Sequence, residues 1–301
     1  MNVAIFALDQ NRPHAENLAS TLAVPVHDLR LHRFPDGELK LTLGGTAETT
    51  ILYLPLDRPD EKLLVVLMAS EALRRNGARR IVLVAPYLCY MRQDVAFHPL
   101  EAISQKVIGG MLTPAIDRMV TVDAHLHRTA SLALVFPEIE AENLEAWPVI
   151  GDALARDGLD PRTVVVGPDV ESRPLVTALA QRLGLTAAVG SKIRRGDRDV
   201  SIAFDDATRL AGRPALLVDD VVSSGGTLIE VAEALRRAGA TTVDAVITHA
   251  LHGEETAARF WLAGIRSLRS TTSVPHSTNA FALTALLADA LRREIAAKVR
   301  P

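Results

Sequence analysis

The feature that most constrains this chain lies late in it. Residues 216–228 read Leu-Leu-Val-Asp-Asp-Val-Val-Ser-Ser-Gly-Gly-Thr-Leu. An apolar run ends in two adjacent carboxylates, Asp219 and Asp220, and a loop of small residues follows, Ser223-Ser224-Gly225-Gly226-Thr227. Leu228, Val231, Ala232 and Leu235 then recur at helical spacing. The order is that of a buried strand, a tight loop and a helix. Backbone N–H groups at such a loop and helix start attract an anion, and glycine lets a phosphate come close. The hydroxyls of Ser223, Ser224 and Thr227 add donors. The carboxylates repel that phosphate but suit ribose hydroxyls or a metal ion beside it. A phosphate cradle and a diol clamp are thus expected about a sugar's length apart. The plainer alternative is a strand–helix turn with an acidic N-cap, which needs neither two acids nor five small residues.

The chain has 301 residues, room for two domains or one large one, and is 48% hydrophobic, enough for a sizeable core. A net charge of −3 without a basic block argues against non-specific nucleic-acid binding. Cys89, the single cysteine, excludes an internal disulfide and a multi-cysteine zinc site. The first residues, Met-Asn-Val-Ala-Ile-Phe-Ala, carry no basic region before a long apolar one, so no signal peptide is expected. The longest apolar runs, such as Leu63–Ala69, are too short to span a bilayer. The expectation is a cytoplasmic protein with neither nucleic-acid nor membrane partners.

Along the chain, residues 3–7 read as a strand and 13–23 as a helix. Pro35-Asp36-Gly37 is a turn signal. It puts Phe34, Asp36 and Glu38 on a protruding hairpin, where an aromatic flanked by acceptors suits a base as well as an ordinary hairpin tip. Strands are predicted at 50–56 and 80–85, with a helix at 61–76 between them. Residues 72–78, Ala-Leu-Arg-Arg-Asn-Gly-Ala, recur as Ala-Leu-Arg-Arg-Ala-Gly-Ala at 234–240. Both end a helix at a capping glycine and lead into a strand. At that offset Asp57 echoes Asp219, and the first copy lacks the Gly-Gly loop. Two related α/β halves are expected, split at 1–144 and 145–301 with the junction inside 138–150; the alternative is a coincidence of two helix ends, since Ala, Leu and Arg are common helix formers.

The loop after the strand at 80–85 reads Pro86-Tyr87-Leu88-Cys89-Tyr90-Met91-Arg92-Gln93-Asp94. Arg92 can fork onto phosphate and Gln93 can read a base or ribose edge, although a solvated loop reads the same way. A strand at 118–123 ends in Asp123-Ala124-His125-Leu126-His127, a histidine pair suited to a metal, a phosphate or neither. Further on, Asp169 ends the strand at 163–166. A helix is read at 172–183. Residues 190–198, Gly-Ser-Lys-Ile-Arg-Arg-Gly-Asp-Arg, read as a basic loop able to close over a polyanion, or as a solvated charge run. A strand is expected at 243–249 and a final helix from about Asn279 to Lys298.

Taken together these stretches resemble the ribose-phosphate diphosphokinase (PRPP synthetase) family over roughly residues 3–297. The resemblance implies two tandem type I phosphoribosyltransferase-like domains, each a central, mainly parallel sheet flanked by helices. It implies that Phe34 stacks on adenine with Asp36 and Glu38 accepting, on a hairpin lent to a neighbouring subunit of a homodimer or larger homo-oligomer. Arg92, Gln93 and His125 would complete the ATP site, and His125 and Asp169 would lie at the metal, Mg2+. Lys192 and Arg194 would form the catalytic loop. Asp219, Asp220, Ser223, Ser224, Gly225, Gly226 and Thr227 would hold ribose 5-phosphate. The implied reaction joins ATP and ribose 5-phosphate into PRPP and AMP.

Ser223 stands where many bacterial and animal relatives have an acid. With Phe97 and Glu101-Ala102-Ile103-Ser104, it resembles the archaeal-type subgroup. Phosphate activation and ADP inhibition are therefore not carried over. Val170-Glu171-Ser172 replaces a frequent Ala-Gly-Gly, which leaves another pentose phosphate open as acceptor. A base-using phosphoribosyltransferase and a non-catalytic regulatory paralogue are the rival readings.

Overall fold

The computed structural model describes residues 2–194, 200–204 and 207–296. The elements run β1 (Val3–Leu8), α1 (Arg12–Leu22), β2 (Val26–Arg33), β3 (Leu39–Leu43), β4 (Thr49–Tyr53), α2 (Pro59–Arg75), β5 (Arg80–Ala85), α3 (Ser104–Leu112), β6 (Arg118–Val122) and β7 (Glu140–Leu144). They continue with α4 (Trp147–Asp157), β8 (Val164–Gly167), α5 (Arg173–Leu183), β9 (Thr186–Arg194), β10 (Val200–Phe204), β11 (Ala215–Val222) and α6 (Gly226–Arg237). Last come β12 (Val243–Ala250), α7 (Glu254–Ala263), β13 (Ile265–Thr271), β14 (Asn279–Phe281) and α8 (Thr284–Ala296).

Strands that hide both faces under helices read as unbroken apolar runs. β1, β4 and β8 are buried at every position, as their sequences require. The strands form two seven-stranded sheets, ordered β3-β2-β1-β4-β5-β6-β7 and β10-β9-β8-β11-β12-β13-β14. Each is parallel except for one antiparallel edge strand, β3 in the first and β10 in the second. The two orders are the same permutation, so the doubled architecture read from the helix-end repeat is present in the topology.

By contacts the chain divides into two units, one ending at Glu145 but regaining the stretch from Leu283, the other Ala146–Ala282. The split read from sequence, 1–144 and 145–301, puts the last helix in the second half. Instead α8 packs on α1 of the first unit. Its docking is ionic as well as apolar. Arg118, 1% exposed at the start of β6, donates through Nη1 to Glu294 Oε1 at 2.9 Å. Arg80 Nε donates to Glu294 Oε2 at 2.6 Å. Burial disfavours the Glu294 charge, but Arg80 and Arg118 outweigh it and hold the carboxyl below the usual range. The helix also starts later than expected, because Asn279–Phe281 is the edge strand β14. Lys298 lies outside the described residues.

The first unit packs Phe6, Leu52, Val66, Leu83 and Phe136 into one core, and the second packs Val166, Leu217, Val231, Ile247 and Phe260. In α6 the predicted stripe Leu228, Val231, Ala232 and Leu235 is buried, at roughly 1.5–3 kcal/mol for each large side chain. Among the described residues, no helix is long and apolar enough to cross a membrane.

The sheet register corrects one detail of the repeat. Val84 and Val246 stand equally far past the capping glycines Gly77 and Gly239, and their sheet partners are Tyr53 and Val218. The next residues along, Leu54 and Asp219, are therefore equivalent, and Asp57 is not the counterpart of Asp219. Asp57 instead pairs with Lys62 in the first turn of α2.

Candidate functional site

In the second unit the predicted residues gather at the C-terminal ends of β8 and β11, neighbours in the sheet. Open parallel sheets bind ligands at such strand ends. Asp219 and Asp220 belong to β11, where successive side chains lean to opposite faces. The backbone N–H of Asp220 donates to Asp219 Oδ1 at 3.0 Å. Burial pushes the Asp219 carboxyl well above the usual range, and the charges of Asp220 and, beyond it, Asp169 push the same way. Asp169 follows β8 and caps the turn Val170–Ser172. Its Oδ1 accepts from the backbone N–H groups of Glu171, at 3.0 Å, and Ser172, at 3.2 Å. The neighbouring acids thus add to the cost of charging Asp219.

Ser223 and Ser224 are exposed, and Gly225 is buried in the left-handed conformation, φ +75°, just before α6. A Cβ there would lie 2.5 Å from the Phe260 ring and 2.7 Å from Thr256 Cγ2, both on α7. Gly225 thus meets a backbone demand and a space demand together. Gly226 opens α6, and a Cβ added there would meet nothing nearer than Ser224 Oγ, at 3.9 Å. The loop therefore leads into a helix start that offers its first N–H groups and open space, the arrangement an anion needs.

Lys192 and Arg194 do not sit in a loop. β9 runs on through Arg194 and pairs with β10, matching Lys192 with Ile202 and Arg194 with Val200. The two cations hold alternate positions on one strand. The strand partner overrides the loop-like composition of this stretch. The rest of the predicted loop, Arg195–Arg198, lies outside the described residues.

In the first unit Phe34–Glu38 forms the turn between β2 and β3. Phe34 N–H donates to the Glu38 carbonyl at 2.8 Å, and Gly37, at φ +95°, supplies the reversal. Phe34 is 39% exposed, with His32 edge-on at 4.7 Å between centroids. The Glu38 N–H donates to Asp36 Oδ1. Arg92 and Gln93 follow β5, and His125 follows β6, the adjacent strand. Arg92 is exposed, whereas Gln93 Oε1 accepts from Ser104 Oγ at 2.6 Å at the start of α3. The His125 and His127 rings meet edge-on at 3.8 Å. Both loops hold a non-glycine residue at positive φ, Tyr90 at +61° and Asp123 at +38°, each a local cost of order 1 kcal/mol. The hairpin is not gathered with them: strands β1 and β4 lie between the hairpin strands and β5.

The sequence reading passed over Asp94, His252 and Phe260. Asp94 is gripped by Arg128 through both oxygens; burial works against its charge, yet Arg128 holds the carboxyl below the usual range. The Arg-Gln-Asp run already contained Asp94, but nothing in sequence joined it to Arg128. Phe260 lies against Gly225 and His252 meets the Phe260 ring edge-on, and only the space demand at Gly225 reveals them.

Comparison with known proteins covers most of the chain. A family model for the N-terminal domain of ribose phosphate pyrophosphokinase matches residues 3–115, and one for the phosphoribosyl transferase domain matches 142–284. A ribose-phosphate pyrophosphokinase of Rhizobium meliloti is 33% identical over 301 residues, 96% of each chain. One from Methanopyrus kandleri is 33% identical over 264 residues, 87% of this chain and 88% of its own. The crystal structure of phosphoribosylpyrophosphate synthetase from Mycobacterium smegmatis superposes with a TM-score of 0.85 at 24% identity, covering 99% of this chain and 100% of that one, a likeness of fold.

Proposed function

Since the chain belongs to the ribose-phosphate pyrophosphokinase family, we propose that it transfers the β,γ-diphosphoryl group of ATP to the C1 hydroxyl of ribose 5-phosphate. The C1 oxygen bonds to the β-phosphorus, the α,β-bridging bond breaks, and AMP leaves as PRPP forms. The observation that carries this reading is the end of β11, where two carboxylates precede an N–H-rich turn that only glycine fits at position 225.

In this reading Ser223–Thr227 hold the 5-phosphate, and Asp219 and Asp220 hold the ring hydroxyls, which aims C1. Diphosphoryl transfer leaves the protein little covalent work, so position and charge dominate. Lys192 and Arg194 meet the charge that grows on the transferring group. Arg92, Gln93 and His125 serve ATP in the first unit. Phe34, Asp36 and Glu38 serve the adenine of a neighbouring subunit, a role supported by the strands that separate their hairpin from β5. Asp169 is the proposed metal contact in the second unit, and His125 lies toward the triphosphate and its metal. When bound, Mg2+ neutralises the diphosphoryl oxygens. A cytoplasmic homo-oligomer completes the proposal.

The test is an end-point assay with Mg2+, ATP and ribose 5-phosphate, resolving nucleotides and sugar phosphates. AMP and PRPP in equal amounts, only with both substrates present, are expected. ADP in place of AMP would make the protein an ordinary kinase. Saturable ATP binding without turnover would favour a regulatory paralogue, and turnover only with a different pentose phosphate would trace to Val170-Glu171-Ser172.

A further inference from the structure

Beneath the Gly225 turn lies a stack of rings that the proposed reaction does not use. The Phe260 ring sits where a Cβ of residue 225 would go, 2.5 Å from that position. His252, just past β12 and 6% exposed, meets Phe260 edge-on at 5.0 Å between centroids and an interplanar angle of 84°. His276, past β13, lies against His252 at 4.4 Å. Hydrogen bonds fix both tautomers. A carbonyl only accepts, so His252 Nδ1 carries a proton and donates to the Gly253 carbonyl at 3.2 Å. The Thr278 N–H donates to His276 Nδ1 at 3.2 Å, so the His276 proton sits on Nε2, which donates to the His252 carbonyl at 3.0 Å. That leaves His252 Nε2 as a buried lone pair without a partner.

We infer that His252, through Phe260, is a positioning residue for the anion-binding turn, and that it performs this role only as the neutral imidazole. The inference rests on the reading of that turn as the sugar-phosphate site. Protonation would place an N–H on Nε2 with no acceptor, inside a buried stack. The environment opposes that step: burial lowers the His252 pKa, the Gly253 carbonyl raises it, and His276 lowers it further. Of the groups packed against His252, Phe260 on α7 is uncharged and His276 is the titratable neighbour. Acid therefore loosens the stack, Phe260 shifts, and Gly225 loses the surface that fixes its N–H groups toward a phosphate.

The experiment uses the full chain and two variants. His252→Ala empties the space under Phe260, and His252→Phe keeps the edge contact while removing the titrating group. Ribose 5-phosphate binding is titrated calorimetrically from pH 5 to 8, and steady-state constants are measured alongside. His252→Ala should weaken ribose 5-phosphate binding and raise its KM roughly tenfold, leaving kcat and the KM for ATP unchanged. His252→Phe should restore binding to within about twofold at pH 8 and lose less affinity than wild type as pH falls. The second ionisation of the sugar phosphate, near pH 6, affects every protein alike, so the comparison between variants isolates the histidine. A His252→Ala protein that binds as wild type overturns the inference, as does a His252→Phe protein with the wild-type acid limb. A wild-type protein that binds no ribose 5-phosphate overturns the functional reading itself, and this inference with it.

Discussion

In the first unit α2 begins at Pro59, directly after residues 55–58, and runs for 17 residues. In the second, residues 220–225 intervene before α6 begins at Gly226, and that helix has 12 residues. Both helices end at the same point of the repeat, Arg75 and Arg237, so the difference lies wholly at their starts. Where the second unit exposes a helix start behind a left-handed glycine, the first covers the place with extra helix and pairs Asp57 with Lys62. Where the second strand presents Asp219, the first presents buried Leu54. The sheet edges show the same contrast. β2–β3 and β9–β10 are equivalent hairpins, one carrying Phe34 on a tight turn and the other Lys192 and Arg194 on the strand itself. The proposed site is a few residues withheld from a helix, together with charge placed where the sister unit keeps hydrocarbon.

The contrast can be broken at its most demanding point with Gly225→Val. The side chain would meet Phe260 and adopt a left-handed backbone, costing about 3 kcal/mol or more. Denaturant unfolding should show that loss, and calorimetry should show no ribose 5-phosphate binding. The hairpin difference is sharpened by Lys192→Ala, which should raise the barrier to turnover by roughly 3 kcal/mol and leave ribose 5-phosphate affinity unchanged. Near-normal turnover would remove this strand from the mechanism.

The last helix is a second asymmetry, because only the first unit acquires one. Glu294→Gln should cost about 2 kcal/mol of stability at neutral pH, since it leaves two arginines facing a neutral partner. The Glu294 carboxyl is depressed in the folded state, so its contribution is complete above its unfolded value and fades as pH falls through the folded one. Unfolding curves of variant and wild type should therefore converge in acid. The smallest change copies one unit into the other. Asp219→Leu removes a carboxylate crowded by Asp220 and Asp169, and it should raise the stability of the metal-free protein by about 1 kcal/mol while abolishing turnover. A destabilised variant would mean that Asp219 is held by more than repulsion.

The interior strands were legible because burial on both faces forces continuous Val, Ile and Leu, as in β1, β5 and β11. The edges were not. β7 reads Glu-Ala-Glu-Asn-Leu, β14 has three residues, and β9 carries Lys192 and Arg194, so only a pairing neighbour makes them strands. Likewise the acids of β11 could be read, but not that the charge of Asp169, just past the neighbouring strand β8, would bear on Asp219. The glycine pair was plain in sequence, yet which glycine the turn requires depends on Phe260, far along the chain. Periodicity reports a residue's own burial and is silent about its partner.

The return of α8 has a consequence for synthesis on the ribosome. Glu294, one of the carboxylates that satisfy Arg118 and Arg80, is encoded after the whole of Ala146–Ala282, whereas Glu140 and Glu142 precede it. While the nascent chain lengthens, the second unit has everything it needs to close, but the first waits for its last helix, with Arg118 and Arg80 held by Glu142 and Glu140 alone. Completion of the first unit is thereby deferred past the second, against the usual vectorial order of N-terminal domain first. A chaperone that recognises the growing polypeptide would find the older half, not the younger, still short of its last helix.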